Sequence, residues 1–134
     1  MQRKIITNTF SVSGQITTDD VSALKTAGIK TIICNRPNNE DQDQTDAERI
    51  KKIADEQGIA FHFLPVVSNH LTREDGEAMF TLLSQSLEPI HAYCRSGTRS
   101  TTLWAMARLL SGDDKNVIIE QAKNAGYDVR RICE

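Results

Sequence analysis

Between positions 94 and 100 the chain reads Cys-Arg-Ser-Gly-Thr-Arg-Ser, a thiol followed by two guanidinium groups, a glycine and three hydroxyls. A cysteine becomes a strong nucleophile at neutral pH when its thiolate is stabilised. Cys94 has Arg95 and Arg99 close by and a helical pattern just downstream, so local cations and a helix N-terminus both favour the charged form. Gly97 permits a positive φ, and Ser96 and Thr98 are small enough to let backbone N–H groups converge. A helix opening at about Ser100 adds its own unpaired amides. Arg99 offers a planar fork that grips an oxyanion through two parallel hydrogen bonds. The expected chemistry is nucleophilic attack within an anion cradle. Cys94 and Arg99 are its catalytic candidates, and Arg95, Ser96, Gly97, Thr98 and Ser100 line the binding loop. The bland alternative, a buried strand-end cysteine followed by exposed arginines, leaves the concurrence of these residue types unexplained.

Such a loop needs a strand before it and a helix after it. "PIHAY" and "STTLWAMARLL" supply both. Upstream, "KII" and "FSVSG" read as a pair of short strands or a hairpin, and "TTDDVSALKTAG" as a capped helix ending at Gly28. "KTIIC" is a buried-strand pattern, followed by the polar loop "NRPNNEDQDQ" and a second helix with Ala47, Ile50, Ile53 and Ala54 on one face. "IAFHFLPV" reads as the next strand, Thr72 and Asp75 as a capping box, and "NVIIEQAKNAG" as the last helix. Strands separated by helices pair in parallel. The expected fold is therefore an α/β three-layer sandwich with a mostly parallel central sheet. Ligands in such folds sit beyond the carboxyl ends of the strands, where Cys94 stands.

A chain of 134 residues favours one domain, spanning 1–134. A net charge of −2 gives no electrostatic case for nucleic acid or anionic lipid, so any anion site must be local. Three cysteines do not form a disulfide framework, and no stretch has the length of a signal peptide or a membrane span. A cytoplasmic location is expected. No Cys/His spacing suggests zinc, and no cofactor is expected.

"SVSGQIT", "GIKTIICNRPNNE", "FLPV", "AYCRSGTRSTTLWAMA" and "AKNAGYD" occur in that order, and together they resemble the phosphatase-like domain of beta-lactamase-hydrolase-like proteins. More distantly the chain is similar to dual-specificity phosphatases. The resemblance implies a cysteine-phosphatase fold with Cys94 as nucleophile and Arg99 as oxyanion clamp. Three departures stand out. Four residues rather than five separate Cys94 from Arg99, and Tyr93 rather than histidine precedes the cysteine. The segment after the Pro-Val strand offers Ser68, Asn69 and His70 where such phosphatases carry an aspartate acid, and Asp75 falls within the next helix. The six-residue loop also resembles that of rhodanese-type sulfurtransferases, in which the cysteine carries a persulfide.

Three functions follow as expectations. The first is a cysteine-dependent phosphatase acting on a phosphorylated small molecule or protein. The second is a sulfurtransferase fed by a sulfane-sulfur donor, which has less need of a strong acid. The third is a binding module for phosphate or sulfate. Among accessory residues, Cys34 is either a small core side chain or a thiol able to resolve oxidised Cys94. Arg36, Asn38 and Glu40 form an exposed polar loop, either a solvated turn or a rim of the site. Asn69 and His70 are accessory candidates from the segment facing the loop. His62 and His91 alternate with apolar residues and read as structural, and Cys133 as incidental.

Overall fold

The computed structural model describes residues 1–134. Strands β1 (Lys4–Thr7) and β2 (Phe10–Ser13) form the expected antiparallel pair, and helix α1 (Thr18–Thr26) follows. Then come β3 (Thr31–Cys34), α2 (Ala47–Glu56), β4 (Ala60–Phe63), α3 (Arg73–Gln85) and β5 (Ile90–Tyr93). Helices α4 (Thr98–Leu110) and α5 (Lys115–Asn124) complete the chain. The sheet order is β1-β2-β5-β3-β4, and every pairing except β1 with β2 is parallel. This is an α/β fold with a mixed, mostly parallel sheet, as the alternation of elements leads one to expect. The last strand in sequence, β5, lies at its centre.

Period-two alternation sorts each strand between two apolar layers. Val12, Ile33 and Ala92 face Met79 of α3, Leu103 and Trp104 of α4 and Ile118 of α5. On the other face Ile32, Cys34 and Tyr93 pack with Val21 and Leu24 of α1 and Ile50 and Ala54 of α2. Helix starts follow the side chains available. Thr17 with Asp20, and Thr72 with Asp75, form reciprocal capping boxes at α1 and α3. Asp114 accepts from two amides at the head of α5. Asp46 makes no such bond at α2, and Asn38 supplies it from the preceding loop by accepting from the Ala47 amide at 2.9 Å.

Two boundaries differ from the sequence reading. Strand β4 stops at Phe63, short of Leu64 and Pro65, although the Leu64 amide still donates to Cys34 at 2.9 Å. Helix α4 begins at Thr98, two residues before Ser100, because Gly97 at φ 90° turns the chain in one step. Arg99 thus belongs to the first turn of a helix and is oriented by it.

Candidate active site

Parallel register places the carboxyl ends of β2, β5 and β3 side by side, with Ser13 opposite Tyr93 and Tyr93 opposite Cys34. The Cys94 amide donates to Ser13 at 3.3 Å and anchors the base of the loop. The chain then curls back so that the Gly97 amide donates to the Cys94 sulfur at 3.1 Å. The amides of Arg95, Ser96, Thr98, Arg99 and Ser100 donate to no protein acceptor, whereas Thr101 already closes on the Gly97 carbonyl at 2.9 Å. Five unpartnered N–H groups within six residues of the sulfur make an electropositive rim at the head of α4.

The rim is braced from outside. Tyr127, just beyond α5, donates its hydroxyl to the Ser96 carbonyl at 3.0 Å. A β-carbon at Gly97 would collide with that hydroxyl, and the φ of 90° already disfavours one. On the other side Gly14 lies so close that a β-carbon there would come within 2.7 Å of the Arg95 carbonyl oxygen. Ser96 and Thr98 bond to each other through their hydroxyls at 3.0 Å. Ser100 is fully buried and donates to Asn35 at 2.9 Å, while Asn35 donates onward to the Leu64 carbonyl at 3.0 Å. Asn35 thereby ties the ends of β3 and β4 to the first turn of α4.

Arg99 is 6% exposed. Its Nη1 donates to Glu40 Oε2 at 2.9 Å and to the Val66 carbonyl at 2.9 Å, and its Nη2 donates to Glu40 Oε1 at 2.8 Å. Glu40 therefore takes the end of the fork, leaving Nε–H and the second Nη2 hydrogen unpartnered along the side. That free edge presents two parallel N–H groups, a geometry able to grip an oxyanion. Glu40 is held in turn by Arg36, whose Nε donates at 2.9 Å. Its hydrogen bonds to Arg99 hold the Glu40 carboxyl below its ordinary range, against the opposing effect of burial. Arg36 also donates to Gln15 and Asp41 at 3.0 Å each, and Asp41 reaches Arg95 at 3.3 Å. The loop between Arg36 and Asp41 is thus wired to the anion cradle at both of its arginines.

Arg36 requires a correction. The sequence reading made it part of an exposed loop, yet it is 1% exposed. Two carboxylates and an amide oxygen occupy its guanidinium, which is what permits a cation to be buried. Asn38 caps a helix, and only Glu40 touches the catalytic candidates.

Cys34 faces the α1/α2 layer with Tyr93, and its thiol donates to the Arg36 carbonyl at 3.3 Å. Burial pushes its pKa up. Cys94 follows Tyr93 directly beyond the end of β5, and both thiols are free. Tyr93 Oη is buried without a hydrogen-bond partner, and burial raises its pKa as well. His91 is buried between Ser11 and Ser13, with Nδ1 and Nε2 each 2.8 Å from a hydroxyl. Ser13 gives its own hydrogen to the Gly14 carbonyl at 2.8 Å, so Nε2 carries the proton and Nδ1 accepts from Ser11. Burial, with Arg3 nearby, pushes His91 down to about 3. It is a neutral strut beneath the loop.

A cavity of about 600 Å³ opens beside the cradle, bounded by Arg95, Ser96, Arg99, Asn69, Asp128 and Arg131 among others. Asn69, at φ 65°, contributes to its wall with Ser68, while His70 is exposed and does not line it. The sequence reading did not single out Tyr127, Asn35 or Gln15. Each acts through contacts made across the fold, with no local motif to announce it. No group of three or more His, Cys, Asp or Glu side chains is placed to hold a metal ion, and no helix is long and apolar enough to cross a membrane.

Residues 2–111 match the family model of the beta-lactamase hydrolase-like protein, phosphatase-like domain. The chain belongs to that family. This phosphatase-like domain is 30% identical over 125 residues to a beta-lactamase hydrolase-like protein of Agrobacterium fabrum, covering 92% of the chain and 29% of that protein. It spans about 30% of the length of the curated relatives it matches. A crystal structure from Neisseria meningitidis, named as a candidate phosphatase, superposes with a TM-score of 0.84 at 35% identity, covering 96% of this chain and 92% of that one. PTPMT1 superposes with a TM-score of 0.70 at 16% identity, covering 94% and 86% respectively. The fold of the phosphatase-like domain is accordingly that of protein tyrosine and dual-specificity phosphatases.

Proposed function

We propose that the domain is a cysteine-dependent phosphatase that cleaves the P–O bond of phosphate monoesters or related phosphorylated substrates. The Cys94 thiolate attacks phosphorus, the bridging oxygen departs with its electron pair, and the resulting phosphocysteine is hydrolysed by water. The free edge of Arg99 and the unpartnered loop amides take the equatorial oxygens as charge develops on them. The observation that carries this reading is the arrangement of Arg99: its far end is fixed by Glu40 while its Nε side stays open next to five unoccupied amides. Family membership supports the reaction class.

A sulfurtransferase is the second reading, supported by the four-residue spacing from Cys94 to Arg99 and the lack of a carboxylic acid in the segment after β4. Mass spectrometry separates the two. Incubation with p-nitrophenyl phosphate should give a transient phosphoryl adduct on Cys94, and Cys94→Ser should abolish turnover with little change in thermal stability. A stable sulfane-sulfur adduct from thiosulfate, without phosphate release, would favour the second reading. Full activity in a folded Cys94→Ser protein would remove Cys94 as the nucleophile of either reaction, whereas anion binding by the unaltered chain with no turnover and no adduct would leave a phosphate- or sulfate-binding module.

A further inference from the structure

The wall of the cavity beside the loop that follows Cys94 holds three arginines and a single carboxylate. Its one carboxylate is Asp128, which Arg130 grips through Nε at 3.0 Å and Nη2 at 2.9 Å. Those bonds hold the Asp128 carboxyl well below the usual carboxylate range, so it stays ionised and cannot donate a proton. Glu40 and Asp41, the other carboxylates near the loop, are engaged by Arg36, Arg99 and Arg95. The segment after β4 contributes only the neutral Ser68 and Asn69 beside the apolar Leu71. Against this, Arg131 faces the cavity with no ion pair or hydrogen bond, and Arg95 is 69% exposed at its side chain, held only by Asp41.

We propose that the substrate is a phosphoanhydride, either an acyl phosphate or the terminal phosphate of a diphosphate, rather than an alkyl phosphate ester. The inference rests on the phosphatase reading of the same loop. An alkoxide is a poor leaving group and needs a proton as the P–O bond breaks, which general-acid catalysis supplies. The leaving group of an anhydride is a carboxylate or phosphate, stable as the anion. In the first step the Cys94 sulfur bonds to phosphorus and the anhydride P–O bond breaks, with the pair remaining on the departing oxygen. Arg131 and Arg95 stabilise that anion by charge, and no proton moves. Water then displaces sulfur from phosphorus, the thiolate recovers its pair, and the water proton passes to solvent.

The test compares kcat/KM of the whole chain at neutral pH on acetyl phosphate, ADP, p-nitrophenyl phosphate and glycerol 2-phosphate. Acetyl phosphate and ADP should each exceed glycerol 2-phosphate by at least about a hundredfold. Arg131→Met, an exposed change that leaves the core untouched, should lower the ADP value by about tenfold and the p-nitrophenyl phosphate value by clearly less. Glycerol 2-phosphate turned over within about tenfold of acetyl phosphate would overturn the anhydride preference and leave the phosphatase reading standing. An equal or absent effect of Arg131→Met across substrates would overturn the arginine's role. No turnover of any of the four, with no phosphoryl adduct on Cys94, would remove the phosphatase reading itself.

Discussion

Glu40 and Arg99, 59 positions apart, meet through two parallel hydrogen bonds of 2.9 and 2.8 Å. The pair fixes the plane of the guanidinium without occupying the edge that faces the loop. Under the phosphatase reading Glu40 is therefore a positioning residue. Glu40→Gln keeps the shape but gives up the charge and one acceptor, and kcat/KM should fall about tenfold, the loss of one charge-assisted contact. Arg99→Lys removes the two-point grip itself and should cost roughly 2–3 kcal/mol of transition-state stabilisation. Arg95→Lys, at an exposed side chain, should cost less than either. Steady-state kinetics giving the reverse order would place the oxyanion clamp on Arg95.

Gly97 and Tyr127 share one small volume. Gly97→Ala should destabilise the fold by roughly 1–3 kcal/mol, from the positive φ together with the collision against the tyrosine hydroxyl. Tyr127→Phe should cost about 1 kcal/mol for the lost bond to Ser96. Because the second change relieves part of the first, the double variant should be less destabilised than the sum by about 0.5 kcal/mol or more. Denaturant melts of the four proteins measure this directly. Strict additivity would mean the two residues do not press on each other.

His91 gives stability a pH signature. Its folded pKa is lowered to about 3, so the unfolded chain binds the extra proton first as pH falls. The contribution is fully present above the unfolded value near ~6.5 and is lost on acidification through the range down to the folded value. Unfolding free energy should decline by about 1.4 kcal/mol per pH unit from this group across roughly pH 6 to 4. His91→Gln should flatten that slope, and an unchanged slope would show that other groups dominate it.

Oxidation distinguishes the two neighbouring thiols. Cys34 packs with Tyr93 in the α1/α2 layer and its thiol is engaged by the Arg36 carbonyl, so mild peroxide should carry Cys94 to sulfinic or sulfonic acid and leave Cys34 as the free thiol. Peptide mapping that found a linked Cys34–Cys94 pair would make Cys34 a resolving thiol.

The tight turn from β5 into α4 was legible in the sequence because its parts are consecutive. A nucleophile, a turn residue and a helix start need no knowledge of the sheet. Glu40 was not legible as the partner of Arg99, since it is one of several acids in a polar loop and only the adjacency of β3 and β5 selects it. Arg36 was misjudged for a related reason: polar neighbours suggested exposure, whereas its burial depends on Gln15, from the stretch after β2, as well as on Glu40 and Asp41. The start of α4 was displaced because side-chain pattern alone cannot tell a glycine inside a loop from one that serves as the helix cap. The strand-to-helix alternation carried the fold class, and the pairing order was left to packing.

Tyr127 lies sixteen residues past the end of the 2–111 segment matched by the family model. The cradle's outer brace, and α5 just before it, therefore lie outside the matched segment. Excision at residue 111 would leave Cys94, Arg99 and Glu40 all in place and still strip the loop of its support, together with the Ile118 and Ala122 side of one apolar layer. A fragment cut to the matched segment alone would keep the cysteine and both arginines of the loop and lose the hydroxyl that props it from outside.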